Sequence, residues 1–594
     1  MRWPLFLITN IYCSILFVLS AQENNYRGNV DPFKMFTPDF NQSIEENNRY
    51  QEWDIRGIFS GIFRKKLYKP ELNDTLYYVC SGLERANGMT GYFHAQKRIS
   101  LPDQSKQMTI RLQYEFCFYQ EAELLVEIVF NDRTSLLQQN SFALPATFQI
   151  ATKEDLPVTV KEFNLNIPAG ANNAILRIKS EKKNGLVIVE LNRCDILIDG
   201  NPLNSYTYNQ TLPFSQDEVQ QIRTHISDTL IVPDNVRLIG IGETVHGCRN
   251  FREQCSNIIR NQIMSGQVRF VGFEATFLDG YRINEYIHGR RDDIGKILSE
   301  AGGTFDNQAN AALFRFMRQY NEQHDYPLTV MGFDIHNELL PREKYLAQFD
   351  SLFPDILRIS RCMDKLRDFS NQNGLQNLFQ NQIDTLLEIL KEPDGQNNKL
   401  SLYESYYPVI LSRYISRLNY NGVENAEFWR KRDSIMAENI ATFFELLPEN
   451  SKMIITCHLG HLSKKQQNEE DYARLTPVTG YYLSEKYKKQ YFVLGLHAGT
   501  GSFFSRYYNG YDPVAIDKNY PFTAPLGKSL EQLCMEMNIS SFYLNRLETI
   551  PLLDKIQYAR SCGNRYDLLQ FKPKNIQDEI DAIWFIRESQ FNMN

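Results

Sequence analysis

Two periodicities divide the chain. From about Asn73 to Gly200 apolar and polar residues alternate: in MTIRLQYEF, Met108, Ile110, Leu112, Tyr114 and Phe116 fall on one face of an extended strand, and FNLNIP repeats the alternation at Phe163, Leu165 and Ile167. A period of two means strands with one buried face, so residues 73–205 are expected to form an antiparallel β-sandwich. Asn184-Gly185 stands between two apolar runs, and because both residue types accept positive φ the pair predicts a hairpin. From Thr211 onward short apolar runs alternate with helical patterns, which predicts an α/β parallel-sheet domain over 211–594. CRNFREQCSNIIRNQI sets Phe251, Cys255, Ile258, Ile259 and Ile263 at three- and four-residue steps, the stripe of an amphipathic helix. Over 338–449 helical patterns run on without strand-like segments, so a helical insertion is expected there. Its tyrosines, such as Tyr403, Tyr406, Tyr407 and Tyr414, could wall a cleft, although aromatics at helical spacing more often pack in a core. The whole is therefore expected to be multidomain, with residues 22–72 left unassigned.

The first residues add a compartment. Arg2 precedes an apolar run from about Leu5 to Leu19, followed by Ser20 and Ala21 and then polar sequence. This is the pattern of a secretory signal peptide over 1–21, and it predicts an exported protein, periplasmic or extracellular. The run is short for a bilayer and holds Asn10, and no other stretch is long and apolar enough to span one. Charge does not favour a polyanion, so no nucleic-acid partner is expected: 64 Lys and Arg stand against 71 Asp and Glu, a formal net charge of −7. Beyond Cys13 nine cysteines remain, odd in number and without a CxxC pair, so neither a disulfide framework nor a structural zinc site is indicated.

The chemistry gathers where the apolar runs of the second region end. VRLIGIG hands over to Glu243 and His246, VRFVGF to Glu274, LTVMGF to Asp334 and His336, KMIITC to His458 and His461, and YFVLGL to His497. In open parallel sheets ligands bind just outside the carboxyl ends of the strands, so separate motifs can meet in one crevice. Glu243, His246, Glu274, His458 and His461 form the candidate catalytic set. His336 and His497 have the ordinary reading of a turn or core histidine, and Asp334 that of a turn cap. A neutral imidazole beside a carboxylate can take a proton from water, and further imidazoles can donate hydrogen bonds to a developing oxyanion. Three histidines and two glutamates could equally hold a divalent metal that acidifies bound water. The residues by themselves leave both open. Other signatures are missing: GIGETVHG has its third glycine too late for a dinucleotide loop, and the chain has neither a GxSxG elbow nor a P-loop. Cys248 and Cys457 sit beside the candidate histidines, which adds a thiol nucleophile to the options, with buried, inert thiols the simpler reading.

These segments carry a family resemblance. IGIGETVHG resembles the LGEATHG opening of the erythromycin esterase family, within the wider erythromycin esterase/ChaN-like superfamily. VGFEATFLDGYRINEYIHG resembles that family's strand-end Glu followed by YRVN, ALFRFMRQYNEQH its WMRAYN helix, and FWRKRDSIMAENI its RDxxMAEN helix. TCHLGHLSK is similar to its AHNAHV strand end, TPVTGYYLSEKYKKQYFVLGLHAGTGSF to its MGxxLRExxGxxYxxIGFxxGxGxF stretch, and DEIDAIWFIRES to its terminal strand. The resemblance implies ester or lactone hydrolysis by attack of water, with the catalytic histidine at His246, the neighbouring glutamates at Glu243 and Glu274, and the later histidines at His458 and His461. The resemblance implies that no metal is needed, as in macrolide-inactivating members, whereas more distant groups bind haem or use divalent metals in proteolysis. A metal-dependent hydrolase and a non-catalytic metal- or haem-binding protein are therefore the alternatives. Two departures touch the site: many members have an acidic residue at Asn250, and a basic one at Cys255, whose charge Arg249 or Arg252 would have to replace. The loop GGTFDNQAN also departs from the family's aromatic-rich one. In the first region, VELNRCDILIDGNPL resembles the last strands of jelly-roll, galactose-binding-like modules of secreted enzymes. The implied partners are a small-molecule ester, lactone or glycosylated substrate, and a carbohydrate at the β-sandwich.

Overall fold

The computed structural model describes the strands between residues 54 and 202, then 214–301, 307–334, 426–468, 475–507 and most of 516–590. The signal segment, His336, the GGTFD part of the altered loop, and residues 338–425 of the expected insertion, with its tyrosines, lie outside the described residues. The chain divides into two compact units, one chiefly of residues up to 208 and one chiefly of residues 209–594.

Among the described residues the first unit holds two antiparallel sheets, of five and six strands. Met108, Ile110, Leu112 and Tyr114 of one sheet and Val126, Ile128, Leu176 and Ile178 of the other pack into a single apolar core, as the alternation requires. The sheets also take in Asp54–Ile58 and Leu67–Lys69, from the stretch whose sequence carries no assignable pattern. Asn184-Gly185 lies outside the described residues, but the strands that flank it do not pair with each other as a hairpin there would require. The strand before it, Asn173–Lys182, pairs within the five-stranded sheet, and the strand after it, Val187–Ile198, within the six-stranded one. Residues that accept positive φ permit any tight reversal, but the choice of pairing partner belongs to the tertiary fold.

The second unit is built on a nine-stranded sheet. Its main strands are β1 (Ile226–Ser227), β2 (Leu238–Glu243), β3 (Val268–Thr276), β4 (Thr329–Asp334), β5 (Lys452–His458), β6 (Tyr491–Tyr507), β7 (Ser541–Asn545) and β8 (Ala582–Ser589). They lie in the order β1-β7-β8-β6-β2-β5-β3-β4. The six from β8 to β4 are mutually parallel, while β7 and β1 add an antiparallel edge, so the sheet is mixed where the sequence pattern predicts a parallel one. Every residue of β2 is buried, as expected for a parallel strand covered on both faces. Flanking helices include α1 (Arg249–Met264), α2 (Phe277–Ile287), α3 (Gln308–Gln323), α4 (Ala426–Phe444), α5 (Leu459–Leu462), α6 (Thr479–Tyr487) and α7 (Leu530–Glu536). Helix α1 buries Phe251, Ile258, Ile259 and Ile263, the stripe read from the sequence. Helix α4 is the described part of the expected insertion.

Two glycines in IGIGETVHG do different work. A Cβ on Gly242 would lie 2.8 Å from the Leu459 Cα, so glycine lets α5 start directly against β2. Gly247 has φ +75, and a Cβ there would fall 2.0 Å from the Phe504 carbonyl oxygen. Only glycine combines that backbone conformation with that approach. The chain is thereby turned sharply between His246 and the start of α1.

Candidate functional site

Glu243 closes β2, in register with His458 of β5 on one side and Leu496 of β6 on the other. Its Oε1 accepts from His246 Nδ1 at 2.5 Å and from Arg252 Nη2 at 2.5 Å. A carboxylate can only accept, so Nδ1 of His246 carries a proton and the lone pair of the neutral ring lies on Nε2. The charge missing at Cys255 is thus supplied by Arg252, about one helical turn earlier. Arg249 instead pairs with Glu253 on the exposed face at 2.7 Å, and Asn250 Oδ1 accepts from the Gln590 backbone N–H at 2.7 Å. Cys255 turns its thiol to Thr456 Oγ1, 3.4 Å away, and burial pushes that thiol up to about 11.

Glu274 lies near the end of β3, where the pairing with β4 slips between Phe273 and Thr276. Its Oε1 accepts from Arg432 Nη2 at 3.0 Å, and its Oε2 accepts from the His458 backbone N–H at 2.8 Å and the Cys457 thiol at 3.0 Å. Burial acts to raise its pKa. The positive charge of His461, His246 and Arg432 and the Cys457 hydrogen bond outweigh that and hold the carboxyl well below the usual range. Arg432, from α4, also donates through Nε and Nη2 to both oxygens of Asp334, at 2.9 and 2.5 Å. Asp334 is therefore the anchor of a buried guanidinium.

His461 points Nδ1 at Asp433 Oδ1, 2.8 Å away, and the same oxygen accepts from the Thr479 backbone N–H and hydroxyl at 2.9 and 2.7 Å. Nε2 of His461 lies 3.1 Å from Arg432 Nη1 and 3.8 Å from Glu274 Oε1. The neutral ring accepts from Arg432; the protonated ring faces Glu274. Burial alone would lower the pKa of His461, but Asp433 more than offsets it and the pKa is raised. The stability this pair contributes is full below the unfolded histidine value of about 6.5 and is lost as pH rises through the raised folded value. Asp433→Asn is expected to bring the His461 pKa below the ordinary histidine value, read by NMR titration of its ring protons. An unchanged midpoint would contradict the pairing.

His458 has a different part. Its Nε2 donates to the Cys562 carbonyl at 2.9 Å, and its Nδ1 accepts from the Gly460 N–H at 3.3 Å, capping α5. Burial, with the neighbouring His246 and His461, pushes its pKa well down, so the ring is neutral. The oxyanion-donor role expected from the sequence does not fit, because its one ring proton is already given to a backbone carbonyl. The ring centroid stands 5.2 Å from that of His246 and 6.1 Å from that of His461.

The structure thus brings Glu243, His246, Glu274, His458 and His461 into one cluster and adds Arg252, Arg432 and Asp433. Arg432 and Asp433 carried a readable signal. Arg432 is in step with Met436 and Ile440 at four-residue intervals, so a charge sits on the buried stripe of α4. His497, one residue past the register of Glu243, faces the other side of the sheet and pairs there with Glu531 at 2.8 Å, both fully buried. The thiols offer no nucleophile: burial pushes Cys248 up to about 11 and Cys457 well above the ordinary thiol range.

Comparison with known proteins places this site in context. The family model described as erythromycin esterase matches residues 263–589. The YbfO protein of Bacillus subtilis (strain 168), named as a hydrolase, is 24% identical over 308 residues, 45% of this chain and 66% of its own length. The chain therefore spans just under two thirds of that relative. The crystal structure of a succinoglycan biosynthesis protein is similar over 63% of this chain and 97% of its own, at 15% identity and a TM-score of 0.51. A Bacillus cereus protein of solved structure matches over 64% and 99%, at 16% identity and a TM-score of 0.50. These two likenesses concern the fold alone.

Proposed function

Because the chain belongs to the erythromycin esterase family, we propose that it hydrolyses an ester or lactone bond with water activated by His246. The matched span begins after His246, so its role rests on geometry: the 2.5 Å contact with Glu243 fixes the tautomer that leaves Nε2 as the base. In this reading Nε2 takes a proton from water as the oxygen attacks the carbonyl carbon, and Glu243 stabilises the imidazolium. The tetrahedral oxyanion faces the protonated ring of His461, whose Nε2–H is the proton not held by Asp433, with the guanidinium of Arg432 behind it. Collapse expels the alkoxide, which takes its proton from His246. Glu274 orients Arg432, and His458 holds the turn into α5.

The residues suit a divalent metal poorly. The ring of His458 is given to the backbone, both oxygens of Glu274 to donors, and Nε2 of His461 to the Arg432 guanidinium, so within the cluster Nε2 of His246 alone keeps an open imidazole lone pair. Arg432, charged at every working pH, stands between Glu274 and His461, where a cation would meet repulsion. Hydrolysis of a panel of macrolide lactones, aryl esters and acylated sugars is therefore expected to be unchanged by a chelator. Chelator-sensitive turnover would transfer the same residues to a metal, and no turnover on any member would favour a non-catalytic binding protein. The same reading takes Met1–Ala21 as an export signal, so the mature amino terminus should follow Ala21.

A further inference from the structure

Apart from the hydrolytic cluster, the second unit carries a pocket of about 420 Å³ between β7, β8 and α1. Its position follows from register. Glu243 pairs with Leu496, Leu496 with Trp584, and Trp584 with Tyr543, so Tyr543 stands at the level of Glu243 three strands away. At about 4.8 Å per strand that is about 14 Å. Helix α1 separates the two places. Arg252 reaches Glu243, while Gln254, two residues on and so on a nearly opposite face, donates to the Tyr543 hydroxyl.

The pocket lining is divided. Its floor is aromatic and buried, made of Tyr543 and Trp584, whereas its rim carries exposed groups of high hydrogen-bonding capacity, among them Asn257, Asn261 and Asp228. The lining holds one carboxylate, Asp228, and one guanidinium, Arg260, so it presents no excess charge to an ionic ligand. An apolar floor beneath planar amides and a carboxylate matches a molecule with C–H groups on one side and hydroxyls along its edge. The volume falls within the range of about 300–1,000 Å³ that holds small molecules.

We propose that this pocket binds a neutral saccharide of one or two rings, at a site separate from the hydrolytic centre. The test uses the full chain and titrates glucose, galactose, N-acetylglucosamine and their β-linked disaccharides, followed by calorimetry or saturation-transfer NMR. At least one sugar is expected to saturate the protein, and the double variant Asn257→Ala/Asn261→Ala to weaken it about tenfold by removing two hydrogen-bonding side chains. Both residues are exposed, so the variant should fold as the native protein does and retain its ester hydrolysis. His246→Gln should bind the sugar unchanged. No saturation by any of these sugars, undiminished binding by the double variant, or loss of binding in His246→Gln would each overturn the proposal. Because hydrolysis is followed separately, failure of this site is distinguishable from failure of the esterase reading.

Discussion

Replacing His246 by alanine is expected to lower kcat/KM for ester hydrolysis by about 10²–10⁴-fold, the range a positioned general base contributes. The fold should survive. The His246 side chain is 14% exposed, and its removal does not orphan Glu243, which keeps the Arg252 guanidinium at 2.5 Å. Thermal unfolding of the variant should therefore match that of the native chain while its turnover is lost. Added imidazole should restore part of the rate, since the carboxylate that would orient it remains. Turnover within about twofold of native in a folded variant would remove His246 from the reaction, because a base worth at least about 10²-fold cannot be deleted so cheaply.

Arg432→Met is expected to cost about 3–5 kcal/mol of stability, the penalty for leaving a buried charge without its partner. Here two carboxylates lose the same guanidinium: Asp334, bound through both oxygens, and Glu274. Arg432→Lys should fall between, because one ammonium cannot reproduce a fork that meets Asp334 and Glu274 together. The urea midpoint at constant slope measures the effect. The pH dependence has a definite sign. Glu274, held well below the usual range, contributes stability that is full above its unfolded pKa of about 4.3 and is lost as pH falls through its depressed folded value. Without Arg432 that depression is smaller, so acid unfolding should begin at higher pH. A variant with the native midpoint and the native acid limb would mean that Arg432 does not hold the cluster together.

The elements with strong periodicity were legible in advance. The alternation from Met108 to Tyr114 became a half-buried strand, the stripe from Phe251 to Ile263 became the inner face of α1, and the apolar runs before Glu243, Glu274 and His458 became neighbouring parallel strands. Each depends on side-chain spacing, which a sequence states directly. Pairing partners were less accessible: the strands Asn173–Lys182 and Val187–Ile198, expected to pair with each other, lie in different sheets, and the antiparallel edge of the second sheet left no mark in its pattern.

For the site, the sequence determined which chemical groups stand at the strand ends, because strand polarity and length bring Glu243, His246, Glu274, His458 and His461 to one crevice. It did not determine what each does. That His458 spends its proton on the Cys562 carbonyl, that Arg252 rather than Arg249 meets Glu243, and that α4 delivers Arg432 and Asp433 from far along the chain were decided by tertiary contacts. The reason is physical: a side chain's type fixes what it can donate or accept, but only its neighbours in space decide to whom, and in a buried polar cluster each such choice removes one from every other group.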